Sequence, residues 1–122
     1  MKLSTYLEDC AVRYPEKLAY ICGPERVTFA DLAARARQLG HALIAGGVSP
    51  GDRVALFLPN GSAVVDAMAA IGAIGAVMVP ISTRLGAEEV AYILEDSDAS
   101  QIIFDADLRD VVDRVHASRP FE

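Results

Sequence analysis

The feature that most restricts the fold is the run Arg53-Val-Ala-Leu-Phe-Leu58, enclosed by Ser49-Pro50-Gly51-Asp52 on one side and Pro59-Asn60-Gly61-Ser62 on the other. Five apolar residues in a row between two turns describe a strand covered on both faces, the habit of a parallel sheet flanked by helices. A parallel sheet needs crossover helices, so the segments on either side should be helical.

The flanking segments have that character. From Phe29, apolar positions recur at Leu32, Ala36, Leu39 and Leu43, while Asp31, Arg35, Arg37, Gln38 and His41 fall elsewhere on the helix. Gly46-Gly47 offers a left-handed end to that helix. After Ser62, a segment rich in Ala and Gly from about Ala63 to Gly75 predicts a second helix, and Ala76-Val-Met-Val-Pro-Ile81 a second buried strand. Glu88 and Glu89 favour the first turn of a third helix, with Ala87, Val90, Ile93 and Leu94 on its apolar face and Ser97-Asp98 at its close. Ser100-Gln-Ile-Ile-Phe104 predicts another strand, and Asp105 is placed to cap a last helix carrying Leu108, Val111, Val112 and Val115.

Upstream, Ser4 or Thr5 is placed to cap a helix that runs to about Tyr14, where Pro15 stops it. Leu18–Ile21 and Arg26–Phe29 flank Gly23-Pro24-Glu25 as a hairpin. The expected class is therefore α/β: a partial parallel sheet with crossover helices on its faces, three crossovers in all, plus an N-terminal β-hairpin.

Composition removes several functions. Net charge is −6, with 17 acidic residues against 11 scattered Lys and Arg, so no basic stripe exists to bind nucleic acid. The longest apolar stretch, Ala67 to Ile81, holds 15 residues interrupted by Gly72, Gly75 and Pro80. That is short of the ~20 needed to span a bilayer. Met1 to Asp9 reaches two acids before any long apolar run, unlike a signal peptide, which points to a cytoplasmic protein. Cys10 and Cys22 lack metal-ligand spacing and read as buried thiols in a reducing compartment. The apolar fraction, about 56% counted with glycine and without tyrosine, exceeds the ~45–50% of ordinary domains. Such an excess fits a piece of something larger, as does the ending Arg119-Pro120-Phe121-Glu122, which reads as a break in mid-sequence.

The inventory of reactive groups is thin. No dinucleotide fingerprint follows a strand, and no loop ends in Gly-Lys-Ser/Thr. The Gly72–Gly75 spacing reads as close helix–sheet packing. His41 and His116 lie on polar helix faces and read as surface histidines. Glu88-Glu89 and Glu95-Asp96 occupy the two ends of one helix as solvated charges. Ser62 lacks the second glycine of a nucleophile elbow and reads as a helix cap. No residue is assigned a catalytic, cofactor-binding or metal role.

Several phrases taken together are more specific. Val27-Thr-Phe-Ala-Asp-Leu32, Leu39-Gly-His-Ala-Leu43, and Gly47-Val-Ser-Pro-Gly-Asp-Arg-Val-Ala55 come in order. Pro59-Asn60, Ala70-Ile-Gly-Ala-Ile-Gly-Ala-Val-Met-Val-Pro-Ile81, Arg84-Leu85 and Glu89-Val-Ala-Tyr-Ile-Leu-Glu-Asp-Ser97 follow. This succession resembles the opening of the adenylate-forming superfamily, which includes acyl-CoA synthetases, peptide-synthetase adenylation domains and luciferases. Ile81-Ser-Thr-Arg-Leu85 leading to Glu88-Glu89 is similar to the acyl-CoA synthetase branch, although Ser82 and Thr83 stand where many relatives carry Asn and Pro.

The resemblance implies that residues 1–122 are the N-terminal part of the large domain, with the rest of that domain and a C-terminal domain absent. Such enzymes use Mg-ATP to turn a carboxylic acid into an acyl-adenylate and pass the acyl group to coenzyme A. Their phosphate loop, ribose-binding acid and mobile lysine have no counterpart in this sequence, so the chain alone is expected to be inactive and to need no cofactor. Its expected partner is the rest of the polypeptide. A non-catalytic α/β module that self-associates as a homo-oligomer through exposed apolar surface is the alternative. An independent Rossmann or flavodoxin-like protein ranks below both, because Leu58-Pro59-Asn60-Gly61 occupies the turn where its glycine fingerprint belongs.

Overall fold

The computed structural model describes residues 3–120. The elements in order are α1 (Leu3–Arg13), β1 (Leu18–Cys22), β2 (Glu25–Thr28), α2 (Phe29–Ala45), β3 (Arg53–Phe57) and α3 (Ser62–Ala73). They continue with β4 (Val77–Pro80), α4 (Ala87–Ser97), β5 (Ala99–Phe104), a 3-10 turn (Ala106–Leu108) and α5 (Arg109–Ser118).

Local chemistry accounts for most boundaries. The first helix begins at Leu3, so Ser4 and Thr5 lie inside it rather than at its cap. Thr28 caps α2, its hydroxyl accepting from the Asp31 amide at 3.1 Å while the Asp31 carboxylate accepts from the Thr28 amide at 3.3 Å. Two helices end alike. Val48 N–H donates to the Leu43 carbonyl and Gly47 N–H to that of Ile44, with Gly47 at φ +99°. Ala76 N–H donates to the Ile71 carbonyl and Gly75 N–H to that of Gly72, with Gly75 at φ +76°. Each set is a Schellman closure, in which a left-handed glycine frees two amides to satisfy the last carbonyls.

The second closure corrects one expectation. The Gly72–Gly75 spacing belongs to a helix end, and a Cβ on Gly72 would meet nothing within 4 Å. A close helix approach is found instead at Gly40 of α2, where a Cβ would lie 3.1 Å from Cγ2 of Ile74, the residue that caps the end of α3.

β1 and β2 form an antiparallel hairpin, and β4-β3-β5 a separate parallel sheet. The chain steps from β3 to β4 through α3, then back across β3 to β5 through α4. Right-handed crossovers in opposite directions put their helices on opposite faces, and β3 shows that arrangement. Val54 and Leu56 pack with Leu43, Val48, Ala67 and Ile71. Ala55 and Phe57 pack with Val90, Leu94, Val112 and Val115. The hairpin's Val27 joins Leu32, Ala36, Ala69 and Ala70 in a third cluster.

Two expectations about the sheet are revised. The described residues complete two crossovers rather than three, because no strand follows α5. Strand β4 is not buried; it is an edge strand, with Val77 48% and Met78 38% exposed.

Candidate functional site

In an open parallel sheet the loops leaving the carboxyl ends of the strands gather on one side, and a crevice opens where successive crossovers pass to opposite faces. β3 and β4 meet that condition. Between the loop after β3 (residues 58–61) and the loop after β4 (residues 81–84) lies a groove of about 430 Å³, within the usual range for small-molecule sites. Leu58, Pro59 and Val64 form its apolar side, and Asn60, Ser82 and Arg84 supply polar groups. Arg84 is exposed and makes no ion pair among the described residues. A cation, an amide and a hydroxyl around an apolar floor suit an anionic group carried on an apolar or planar body.

The two loops are held differently. Ile81 N–H donates to the Leu56 carbonyl at 2.8 Å, Leu85 N–H to that of Ser82 at 3.2 Å, and Arg84 N–H to Ser82 Oγ at 3.4 Å. The loop after β3 has no comparable turn of its own. It runs into α3 through Gly61, which gives the helix no side-chain cap.

Beside that helix start is a polar network that joins the hairpin to α2 and α3. Tyr20 Oη donates to Asp66 Oδ1 at 2.8 Å. Arg35 Nη1 donates to Glu25 Oε1 at 2.9 Å, to Tyr20 Oη at 3.3 Å and to Asp66 Oδ2 at 3.4 Å. Ser62 Oγ donates to the same Glu25 oxygen at 2.7 Å. The electrostatics follow from these contacts. Hydrogen bonds from Arg35, then from Ser62, hold the Glu25 carboxyl below the usual carboxylate range. Partial burial, then the Asp66 carboxylate, pushes the Tyr20 phenol above its ordinary value. The Glu25 contact holds the Arg35 guanidinium above its own. One cation serves two carboxylates and a phenol, so every member is occupied and none is poised as a base or nucleophile.

The residues weighed in the sequence disperse. Ser62 is the first residue of α3 rather than its cap, because its hydroxyl is turned to Glu25 and Gly61 takes the cap position. His41 is exposed on α2, and His116 is exposed on α5 and engaged in an interaction of its own. Glu88 and Glu89 open α4, where Glu89 Oε2 accepts from the Gly86 amide at 3.2 Å, and Glu95 and Asp96 are exposed at its far end. Cys10 is buried, whereas Cys22, expected to be buried, is only half-covered; both are free. No group of three His, Cys, Asp or Glu side chains among the described residues is arranged to hold a metal ion.

Sequence reasoning passed over Tyr20, Glu25, Arg35 and Asp66. One signal was available: Asp66 is the lone charge in the otherwise apolar α3, and a charge carried into an apolar helix requires a partner.

The chain matches the model of the AMP-binding enzyme family over residues 7–121. A feruloyl-CoA synthase of Amycolatopsis is 39% identical over 105 residues, covering 86% of this chain and 21% of that protein. A solved Mycobacterium tuberculosis fatty acyl CoA synthetase superimposes with a TM-score of 0.91 at 35% identity, over 98% of this chain and 24% of its own. A benzoate CoA ligase from Burkholderia xenovorans gives a TM-score of 0.93 at 27% identity, over 100% of this chain and 25% of its own. The chain thus spans about a fifth to a quarter of the length of these relatives.

Proposed function

The chain belongs to the AMP-binding enzyme family, and from that premise we propose that it forms the N-terminal part of the large domain of an ATP-dependent acyl-CoA synthetase. In the intact protein, a carboxylic acid and Mg-ATP would give an acyl-adenylate and pyrophosphate, and the acyl group would then pass to coenzyme A. The observation that carries this reading is the continuous likeness to acyl-CoA ligases over 86–100% of the chain. Relatives named for feruloyl, benzoate and fatty acyl groups share this segment. We therefore place selection of the acid outside it, in the remainder of the polypeptide. The assignment to the cytoplasm belongs to the same proposal, and no helix among the described residues is long and apolar enough to cross a membrane.

Within that enzyme the groove between residues 58–61 and 81–84 would face an anionic portion of a substrate, with Arg84 and Asn60 as donors. Its lining fits Mg-ATP poorly as a complete site. It contains no carboxylate for a hard cation and no run of glycine amides for a triphosphate, so no chemical step is assigned to it.

Two measurements test the proposal. Calorimetry of the 122-residue chain with Mg-ATP should show no binding in the micromolar range, and such binding would contradict it. Residues 7–121 grafted into the M. tuberculosis fatty acyl CoA synthetase in place of its own segment should support ATP-dependent acyl-CoA formation. A folded, inactive graft would count against it.

A second reading, self-association as an α/β module, is favoured by the open edge of β4 with Val77 and Met78 exposed. Light scattering decides it: a clean monomer at high concentration rules it out, and dimers that Val77→Lys disperses support it.

A further inference from the structure

We propose that Glu25 and Ser62 are positioning residues, through which the hairpin fixes the loop of residues 58–61 and so one wall of the groove. The proposal of an anionic substrate there rests on the family reading; the mechanical coupling does not.

The case begins with what the loop lacks. Among the described residues, no turn, cap or side-chain hydrogen bond involves residues 58–60, whereas the opposite wall is tied to β3 by Ile81 and closed by its own Ser82 turn. Gly61 caps α3 at φ +155°, a conformation that side-chain-bearing residues rarely adopt, and it contributes no side-chain bond. The first polar side chain after the loop to make a hydrogen bond is Ser62, and its hydroxyl reaches Glu25 Oε1, 37 residues away in sequence, at 2.7 Å.

Glu25 is itself well placed to anchor. It is the first residue of β2, paired with Cys22 across the hairpin turn. Its carboxylate also accepts from Arg35 on α2, which reaches on to Asp66 one turn along α3. The start of α3 is thus held from the hairpin directly, and from α2 one turn later. Glu25 is ionised at neutral pH, as an ordinary carboxyl is, and these contacts hold it further below that range, so it accepts from both donors.

Exposed ion pairs add little to global stability, and Arg35 and Glu25 have side chains 37% and 42% exposed. A contact that contributes little to overall stability and yet joins distant elements at the one loosely held wall is expected to act on geometry. Its loss should loosen the loop and leave the sheet as it was.

Hydrogen exchange of the 122-residue chain tests this. In Ser62→Ala, amides of residues 66–69, the first of α3 with carbonyl partners inside the helix, should exchange about fivefold faster, the opening expected from losing one ordinary hydrogen bond, while those of β3 and β5 keep their rates. Glu25→Ala, which leaves α3 unaltered in sequence, should reproduce the pattern, and Ser62→Thr should restore protection. Unchanged exchange at residues 66–69 overturns the proposal. So does an equal acceleration throughout, including a variant that loses protection in β3, because that would be a folding contact.

The grafted synthetase separates the coupling from the family reading. Ser62→Ala there should raise KM for one phosphate-bearing substrate, with ATP and coenzyme A titrated separately to show which, while kcat is preserved. Neither KM moving, with exchange at residues 66–69 accelerated, overturns the groove reading and supports the coupling.

Discussion

Strands β3 and β4 lie side by side in parallel register, Val54 opposite Met78 and Leu56 opposite Pro80, and in sequence they look alike as apolar runs bounded by turns. Their surroundings differ sharply. Val54, Ala55, Leu56 and Phe57 are all at most 2% exposed, whereas Val77 and Met78 of β4 stand 48% and 38% open. The difference comes from order in the sheet, not from hydrophobicity. The connection from β4 to β5 passes over β3, leaving β3 central and covered by two helices on each side. β4 is left at an edge and ends in Pro80, a residue that edge strands tolerate because it lacks an N–H for the ladder. An apolar run alone therefore does not tell whether a strand is buried; its place in the sheet does.

The largest test of the contrast removes a side chain from each strand. Phe57→Ala should cost about 3–5 kcal/mol, a large part of the ~5–15 kcal/mol that holds a domain together, and should leave the chain substantially unfolded in mild urea. Met78→Ala should change the urea midpoint by less than a quarter as much. Equal losses would show that β4 is covered in solution, and a self-associated state would then be the first place to look.

Adding volume sharpens the same contrast with a smaller effect. Ala55 is fully buried between β3 and the α4–α5 pair, so Ala55→Leu should destabilise by about 1–3 kcal/mol through overpacking. Val77→Leu, on an open edge, should stay within about 0.5 kcal/mol, as surface changes usually do. Thermal melting of the two variants decides it.

These contrasts also mark where the sequence was legible. Local signals carried the elements well. The apolar spacing from Phe29 to Leu43 gave α2, the paired acids Glu88 and Glu89 gave the start of α4, and Asp98 closes that helix in the left-handed conformation. The ordered phrases from Val27 to Ser97 resembled the family that the match over residues 7–121 identifies. Relations between distant residues were not legible in the same way. Whether Ala76–Ile81 is buried depends on which strands flank it, and the one hint of an edge within it, Pro80, was outweighed by the apolar run. Ser62 read as a cap because capping is a local habit of serine before a helix, yet its hydroxyl is drawn to Glu25 in another sheet. Arg35 looked like one more polar residue on the solvent side of α2, and only folding sets it between Glu25 and Asp66.

The smallest expected effect comes from that network, and it differs from the strands in kind because it responds to pH. Between Val54 and Phe57, and between Val77 and Pro80, no side chain titrates, so the strands should be indifferent to alkali. Tyr20 faces Asp66, Arg35 and Ser62, and its phenol is pushed above the usual value of 10.0, first by burial and then by its bond to Asp66. A raised folded-state value means that the neutral phenol is favoured by folding. Its contribution is therefore complete below about pH 10, the value of the unfolded chain, and is lost as pH climbs through the higher folded value. Tyr20→Phe keeps the ring, loses a hydrogen bond worth about 1 kcal/mol at neutral pH, and should abolish this component of the alkaline decline. Urea midpoints of the native chain and Tyr20→Phe, followed from pH 7 upward, should converge above pH 10; a gap that stays constant would mean that the phenol's proton plays no part in joining the hairpin to α3.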